Sequence, residues 1–78
     1  MKIHDMKSVW INGVVSNYVV NYFFIKEKND KNGNPRYKVF IIDPGSPAVY
    51  EKMFTTYNLE EAVKTYVERK LWEDVENV

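Results

Sequence analysis

The fold class expected for this chain is α+β: an antiparallel β-meander of three or four strands with one C-terminal helix packed on one face. Three observations predict it. The run Tyr18–Ile25 is rich in β-branched and aromatic residues and is apolar at both its even and its odd positions. The β-rich runs after it are separated by short Asn/Gly and Pro/Gly turn signals, which make neighbouring strands antiparallel. Only one stretch, beginning at Asn58, has apolar residues at helical spacing behind a capping residue. At 78 residues the chain makes one domain, 1–78, with 1–8 and 73–78 expected to be frayed.

Each element has its own warrant. Val9-Trp10-Ile11 is a short apolar run ended by the turn signal Asn12-Gly13, and Val14-Val15 is a candidate opening of the first strand. Tyr18 to Glu27 is the clearest strand. Its even positions carry Tyr18, Val20, Tyr22 and Phe24; its odd positions carry Val19, Phe23 and Ile25. Asn29 to Asn34 has hairpin-loop composition, and Arg36 to Asp43 returns from it with Pro35 at the start, where a missing N–H does least harm.

Two registers fit this hairpin. A two-residue turn at Asn32-Gly33 sets Ile25 against Phe40 and Glu27 against Lys38. A five-residue loop from Asn29 to Gly33 sets Tyr22 against Phe40 instead. Asp43 to Pro47 reads as a turn with Pro-Gly in type II position, and Val49 to Thr55 as a further strand. Asn58 with Glu61 forms a capping box, and Leu59, Ala62, Val63, Tyr66 and Val67 form one apolar stripe. Lys70 falls within that stripe, and the acids Glu73, Asp74 and Glu76 oppose the negative end of the helix dipole, so the helix is expected to fray after Trp72.

Composition excludes several classes. The chain has no cysteine, which removes disulfides, thiolate zinc sites and cysteine nucleophiles together. His4 is the only imidazole and lies in a polar N-terminal tail, so neither a histidine-rich metal site nor a serine–histidine catalytic pair is expected, and no cofactor is implied. Asp43 and Glu51 are the one carboxylate pair that a turn brings near each other, in a chain with little room for a catalytic pocket. No Gly-rich phosphate cradle occurs. No apolar run reaches the ~20 residues that cross a bilayer, and the N-terminus lacks the apolar core of a signal peptide, so a cytoplasmic protein is expected. Net charge is zero, with seven Lys/Arg against four acids up to Pro44 and the reverse beyond it. Scatter in a small protein produces such an imbalance; so does a sheet surface that faces a polyanion.

Apolar residues on both sides of a sheet need two covers, and one helix supplies one. The second is the N-terminal segment with Ile3, Val9, Trp10 and Ile11 folded across, a second copy of the chain, or a foreign protein. Self-association into a homodimer through the sheet face, with the N-terminal segment taking part of the area, is the expectation. The candidate partner-binding residues are the sheet aromatics Tyr18 and Tyr22, with Arg36 and Lys38 at the rim. In the five-residue-loop register, Tyr18, Tyr22, Phe24 and Phe40 share a face with Lys26, Arg36 and Lys38, the combination by which single-strand nucleic-acid binders stack bases beside cations. That is the alternative to protein binding.

Gly33-Asn34-Pro35-Arg36-Tyr37-Lys38-Val39 leading into a strand, and Tyr57-Asn58-Leu59-Glu60-Glu61-Ala62 opening a final helix, resemble small uncharacterised proteins of phages and mobile elements of Gram-positive bacteria. The likeness spans about half the chain. It implies a non-enzymatic accessory factor that binds a host or phage protein, and it carries no residue with an assigned role.

Overall fold

A computed structural model describes residues 6–44 and 49–76. Among them, β1 (Lys7–Asn12), β2 (Asn17–Glu27), β3 (Arg36–Ile42) and β4 (Val49–Thr55) form one antiparallel sheet in the order β1-β2-β3-β4, followed by α1 (Leu59–Glu76). The meander with a single C-terminal helix is the fold class read from the sequence. Ile3, His4 and the turn over Gly45-Ser46-Pro47 lie outside the described residues.

Several expected boundaries are corrected. Lys7 and Ser8 are not tail; they pair with Tyr22 and Asn21 in an edge strand. Val9-Trp10-Ile11 does not fold across the sheet but extends it, pairing with Val20, Val19 and Tyr18 of β2, where the ladder satisfies its backbone groups. Val14 and Val15 belong to the β1–β2 connection and face solvent, Val15 at 96% exposure. Gly13 is required in that connection, since a Cβ there would run into the Ser16 carbonyl oxygen and the Tyr18 ring.

The β2–β3 hairpin takes neither anticipated register. Ile25 opposes Lys38, Tyr22 opposes Ile41 and Phe23 opposes Phe40. The cause is a loop organised by Asp30. Its Oδ1 accepts the N–H groups of Asn32 (2.9 Å) and Asn34 (2.8 Å), its own carbonyl accepts the Gly33 N–H at 2.9 Å, and its N–H donates to the Asn34 carbonyl at 3.0 Å. Gly33 turns the chain at φ 83°, a conformation cheap only for glycine. Between the pair Glu27–Arg36 and the pair Asp30–Asn34, Lys28 and Asn29 stand opposite Pro35 alone, and this two-against-one step shifts the ladder. The hydrogen bond from the Asn34 N–H, with lesser help from the Asn34 side chain, the Asn32 N–H and the Arg36 charge, holds the Asp30 carboxyl below its ordinary pKa.

The helix begins where the sequence places it. The Asn58 Oδ1 accepts the Glu61 N–H at 3.1 Å, the N-cap bond. The reciprocal half of the capping box is replaced, because the Asn58 N–H donates to Thr56 Oγ1 at 3.0 Å. The helix continues to Glu76 rather than ending at Trp72. Leu71 packs on the core, and the Lys70 ammonium sits 4.6 Å from the Tyr50 ring centre, so the last turns gain contacts that offset the unfavourable acids.

The buried core is small and lies between α1 and one sheet face. It comprises Val9, Ile11, Val20, Tyr22, Val39 and Ile41 from the strands with Val63 and Val67 from the helix. Glu68 Oε2 accepts the Asn12 N–H at 2.9 Å and ties the helix to the end of β1.

Two predictions follow from this core. Tyr22 is 2% exposed, and truncating a buried aromatic costs about 3–5 kcal/mol, against a stability of about 5 kcal/mol for so small a domain. Tyr22→Ala is therefore expected to leave a large unfolded fraction by circular dichroism in buffer. Burial also raises the hydroxyl pKa of Tyr18 and of Tyr22, with Asp43, Tyr50 and Glu68 adding to the first and Glu60 to the second. In the unfolded chain both ionise near pH ~10, before the folded ones do, so stability is intact below that pH and falls as pH rises through the folded values. Urea midpoints above pH ~10 are expected to drop, and less so in the Tyr18→Phe/Tyr22→Phe variant.

Candidate interaction face

The alternation of side chains that sends Val9, Ile11, Val20, Tyr22, Val39 and Ile41 under the helix sends their neighbours to the opposite side. There the sheet presents Trp10 from β1, Val19, Phe23 and Ile25 from β2, Phe40 and Ile42 from β3, and Val49 and Met53 from β4. No described element lies over them. Trp10 is 66% exposed, Val49 58%, Met53 39% and Ile25 38%, while the helix-side residues Ile11, Val20, Val39 and Ile41 are all at 0%. Apolar residues on both faces, read from the sequence, are thus present, and only one face is closed.

The centre of the open face is a cross-strand pair. Phe23 and Phe40 are directly opposed in the ladder, their rings 4.8 Å apart and 15° from parallel. Ile25 and Ile42 flank this stack along their strands, and polar groups are interleaved with them: Glu51 stands across from Phe40, Asn21 across from Ile42, and Lys38 between Ile25 and Met53. Lys38 stands between two acids on adjacent strands, 4.0 Å from Glu27 and 3.7 Å from Glu51. Glu51 is therefore engaged in a cross-strand ion pair. On the β1 side the Ser8 hydroxyl donates to Asn21 Oδ1 at 2.7 Å. Apolar side chains interleaved with polar ones give this face the mixed composition of a non-obligate protein contact surface.

The four residues expected to bind a partner are divided by the structure. Arg36 and Lys38 do belong to this face, opposite Thr55 and Met53. Tyr18 and Tyr22 do not; they point to the helix side, where Tyr22 is buried and Tyr18 is half-buried against the core. The expectation that they are exposed aromatics is corrected, and with it the grouping of Tyr18, Tyr22 and Phe24 with Phe40 on a single face. The reason is the Asp30 loop: its step pairs even residues of β2 with odd residues of β3, so Phe23 rather than Tyr22 shares a side with Phe40 and Lys38. Trp10, Val49 and Met53 were missed as members of this face, although the alternation along each strand was sufficient to group them with their neighbours.

A second feature lies on the other side. The helix leans toward β1, and beside β4 it leaves an open groove of about 330 Å³ lined by Lys52, Tyr66, Arg69, Lys70 and Glu73. The Lys52 ammonium is 5.0 Å from the Tyr66 ring centre and 5.8 Å from that of Phe54. Among the described residues Lys52, Arg69 and Lys70 form no salt bridge. Among those residues, too, no group of three His, Asp or Glu is placed to hold a metal ion, and no helix is long and apolar enough to cross a membrane. Compared with known proteins, the chain matches no family model, no curated protein and no solved structure.

The openness of the face is measurable at Trp10. In a Trp72→Phe variant Trp10 is the sole indole, and in dilute protein acrylamide is expected to quench it nearly as well as free tryptophan. Quenching several-fold weaker under those conditions contradicts an uncovered face.

Proposed function

We propose that this chain is a small non-enzymatic protein-interaction module that works through the open face of its sheet. The observation that supports this reading is the set of eight apolar side chains there, four of them more than a third exposed, grouped around one aromatic stack. An apolar patch of that extent is unusual on a protein with no partner. Removing it from water supplies affinity without directional chemistry, and the Glu27–Lys38–Glu51 arrangement within it sets orientation. The partner-binding set becomes Trp10, Phe23, Phe40 and Met53, with Arg36 and Lys38 kept beside them. The resemblance to phage and mobile-element proteins supports a cytoplasmic accessory factor whose target is a host or phage protein.

The groove beside β4 favours a second reading, the binding of single-stranded nucleic acid. Three cations next to Tyr50, Phe54 and Tyr66 place charge and aromatic rings together, as such sites require. This moves the basic–aromatic combination from the sheet positions expected in sequence to the β4–helix side. Phosphate-dominated binding weakens steeply with salt, while apolar contact does not.

One experiment separates the two. A photo-crosslinking phenylalanine analogue is placed at Met53 on the open face, at Arg69 in the groove, or at Val15 away from both. Irradiation in producing cells is expected to yield discrete protein adducts from the Met53 position and none from Val15. Equal labelling from Met53 and Val15 removes the protein-interaction reading; nucleic-acid adducts from Arg69 alone favour the second.

A further inference from the structure

We infer that the occupant of the open face is a second copy of this chain, so that two sheets pack face to face with the helices outermost. This rests on the reading of that face as an interaction surface and adds its partner.

Charge is the first argument. The face carries two cations, Arg36 and Lys38, and two anions, Glu27 and Glu51, and the chain as a whole has net charge zero. A copy approaching this face meets no net repulsion. The lysine already has both carboxylates within reach on its own face, which leaves no surplus charge to steer a strongly acidic or basic partner.

Geometry is the second. A two-fold dimer uses one patch on both subunits, so the patch must fit itself. A sheet with a flat stacked pair, Phe23 on Phe40, at its middle, aliphatic Ile25 and Ile42 along the strands and the mutually neutralised Lys38 and Glu51 beside it meets that condition when two copies pack as a sandwich about 10 Å apart. Four strands of 6, 11, 7 and 7 residues, at ~3.3 Å per residue and ~4.8 Å between strands, give a flat footprint of roughly 490 Å². Side-chain relief brings this toward the ~600 Å² that each partner contributes to the smallest specific interfaces. The expected dimer is accordingly of moderate affinity and concentration-dependent.

Size is the third. Among the described residues eight apolar side chains are buried, which is a thin core. Domains this small commonly gain the missing burial by oligomerisation. The eight open-face residues equal the core in number and sit on the same strands, so pairing doubles the apolar set each sheet holds away from water.

The test is sedimentation equilibrium of the full chain from micromolar to millimolar concentration, with open-face variants beside it. Wild type is expected to approach twice the 9.3 kDa mass of one chain as concentration rises. Met53→Glu and Trp10→Lys, on opposite edge strands, are each expected to raise the dissociation constant about tenfold or more. Val15→Glu, at a more exposed position off the face, is expected to leave it unchanged. Circular dichroism checks that each variant folds, and two independent positions guard against one failing to do so. A mass that stays monomeric, or a dimer indifferent to both open-face substitutions, overturns the inference. Binding of the hydrophobic dye anilinonaphthalene sulfonate then separates the two levels. A monomer that binds the dye, and binds it less when Met53 or Trp10 is replaced, loses the second copy but keeps an interaction face. A monomer that ignores the dye loses both.

Discussion

One helix cannot cover two faces of a sheet, and the rest of this molecule is a consequence. Strands 2 and 3 are apolar at positions of both parities, so alternation sends Val20, Tyr22, Val39 and Ile41 one way and Phe23, Ile25, Phe40 and Ile42 the other. The helix contributes Val63 and Val67 to the first set and closes it completely. Nothing among the described residues does the same for the second. Side chains of the second set are nevertheless those that stabilise strands best, which explains how a sheet with one bare side is still specified by its sequence.

Which residues of β3 share a side with which residues of β2 is decided by a loop. Asp30 gathers the N–H groups of Asn32 and Asn34 with one carboxylate oxygen, and Gly33 supplies the positive φ that lets the chain close around it. The loop then contributes two residues on the outgoing side against one on the return, and that single step pairs Phe23 with Phe40. Because side chains alternate with period two, an offset of one residue exchanges whole faces. The network around Asp30 therefore acts at a distance of several residues: it determines that a phenylalanine stack, and not a row of tyrosines, occupies the centre of the open side.

This also marks the limit of what the chain discloses before it is folded. The order of the strands, the helix start at Asn58 and the existence of two apolar faces are local or periodic properties, and they are legible in the residues. Assignment of Tyr18 and Tyr22 to the open side failed because register depends on hydrogen bonds inside a loop whose composition, Asn-Asp-Lys-Asn-Gly-Asn, suits several turns equally. Extension of the helix past Trp72 was hidden for a similar reason. The acids at its end argue against it locally, whereas the contacts that oppose them, Leu71 on the core and Lys70 over Tyr50, exist only once β4 is in place. That Glu27 and Glu51 flank Lys38 was not legible, since it needs three strands in register at once.

The tyrosines that turned inward clarify what the outward side is for. Tyr22 belongs to the core between sheet and helix, and Tyr18, Tyr37 and Tyr50 from the strands and Tyr66 from the helix itself pack against that core. The opposite side has no tyrosine; its large residues are Trp10, Phe23, Phe40 and Met53, and three of those four have no polar atom that can serve as a strong hydrogen-bond donor. A surface adapted to permanent contact with water favours side chains with polar ends, whereas one that spends its time against another apolar surface does not need them. The distribution of hydroxyls between the two sides thus parallels the exposure of the side chains: polar-tipped aromatics gather on the helix side, and Trp10, Phe23, Phe40 and Met53 stand on the bare side of the sheet.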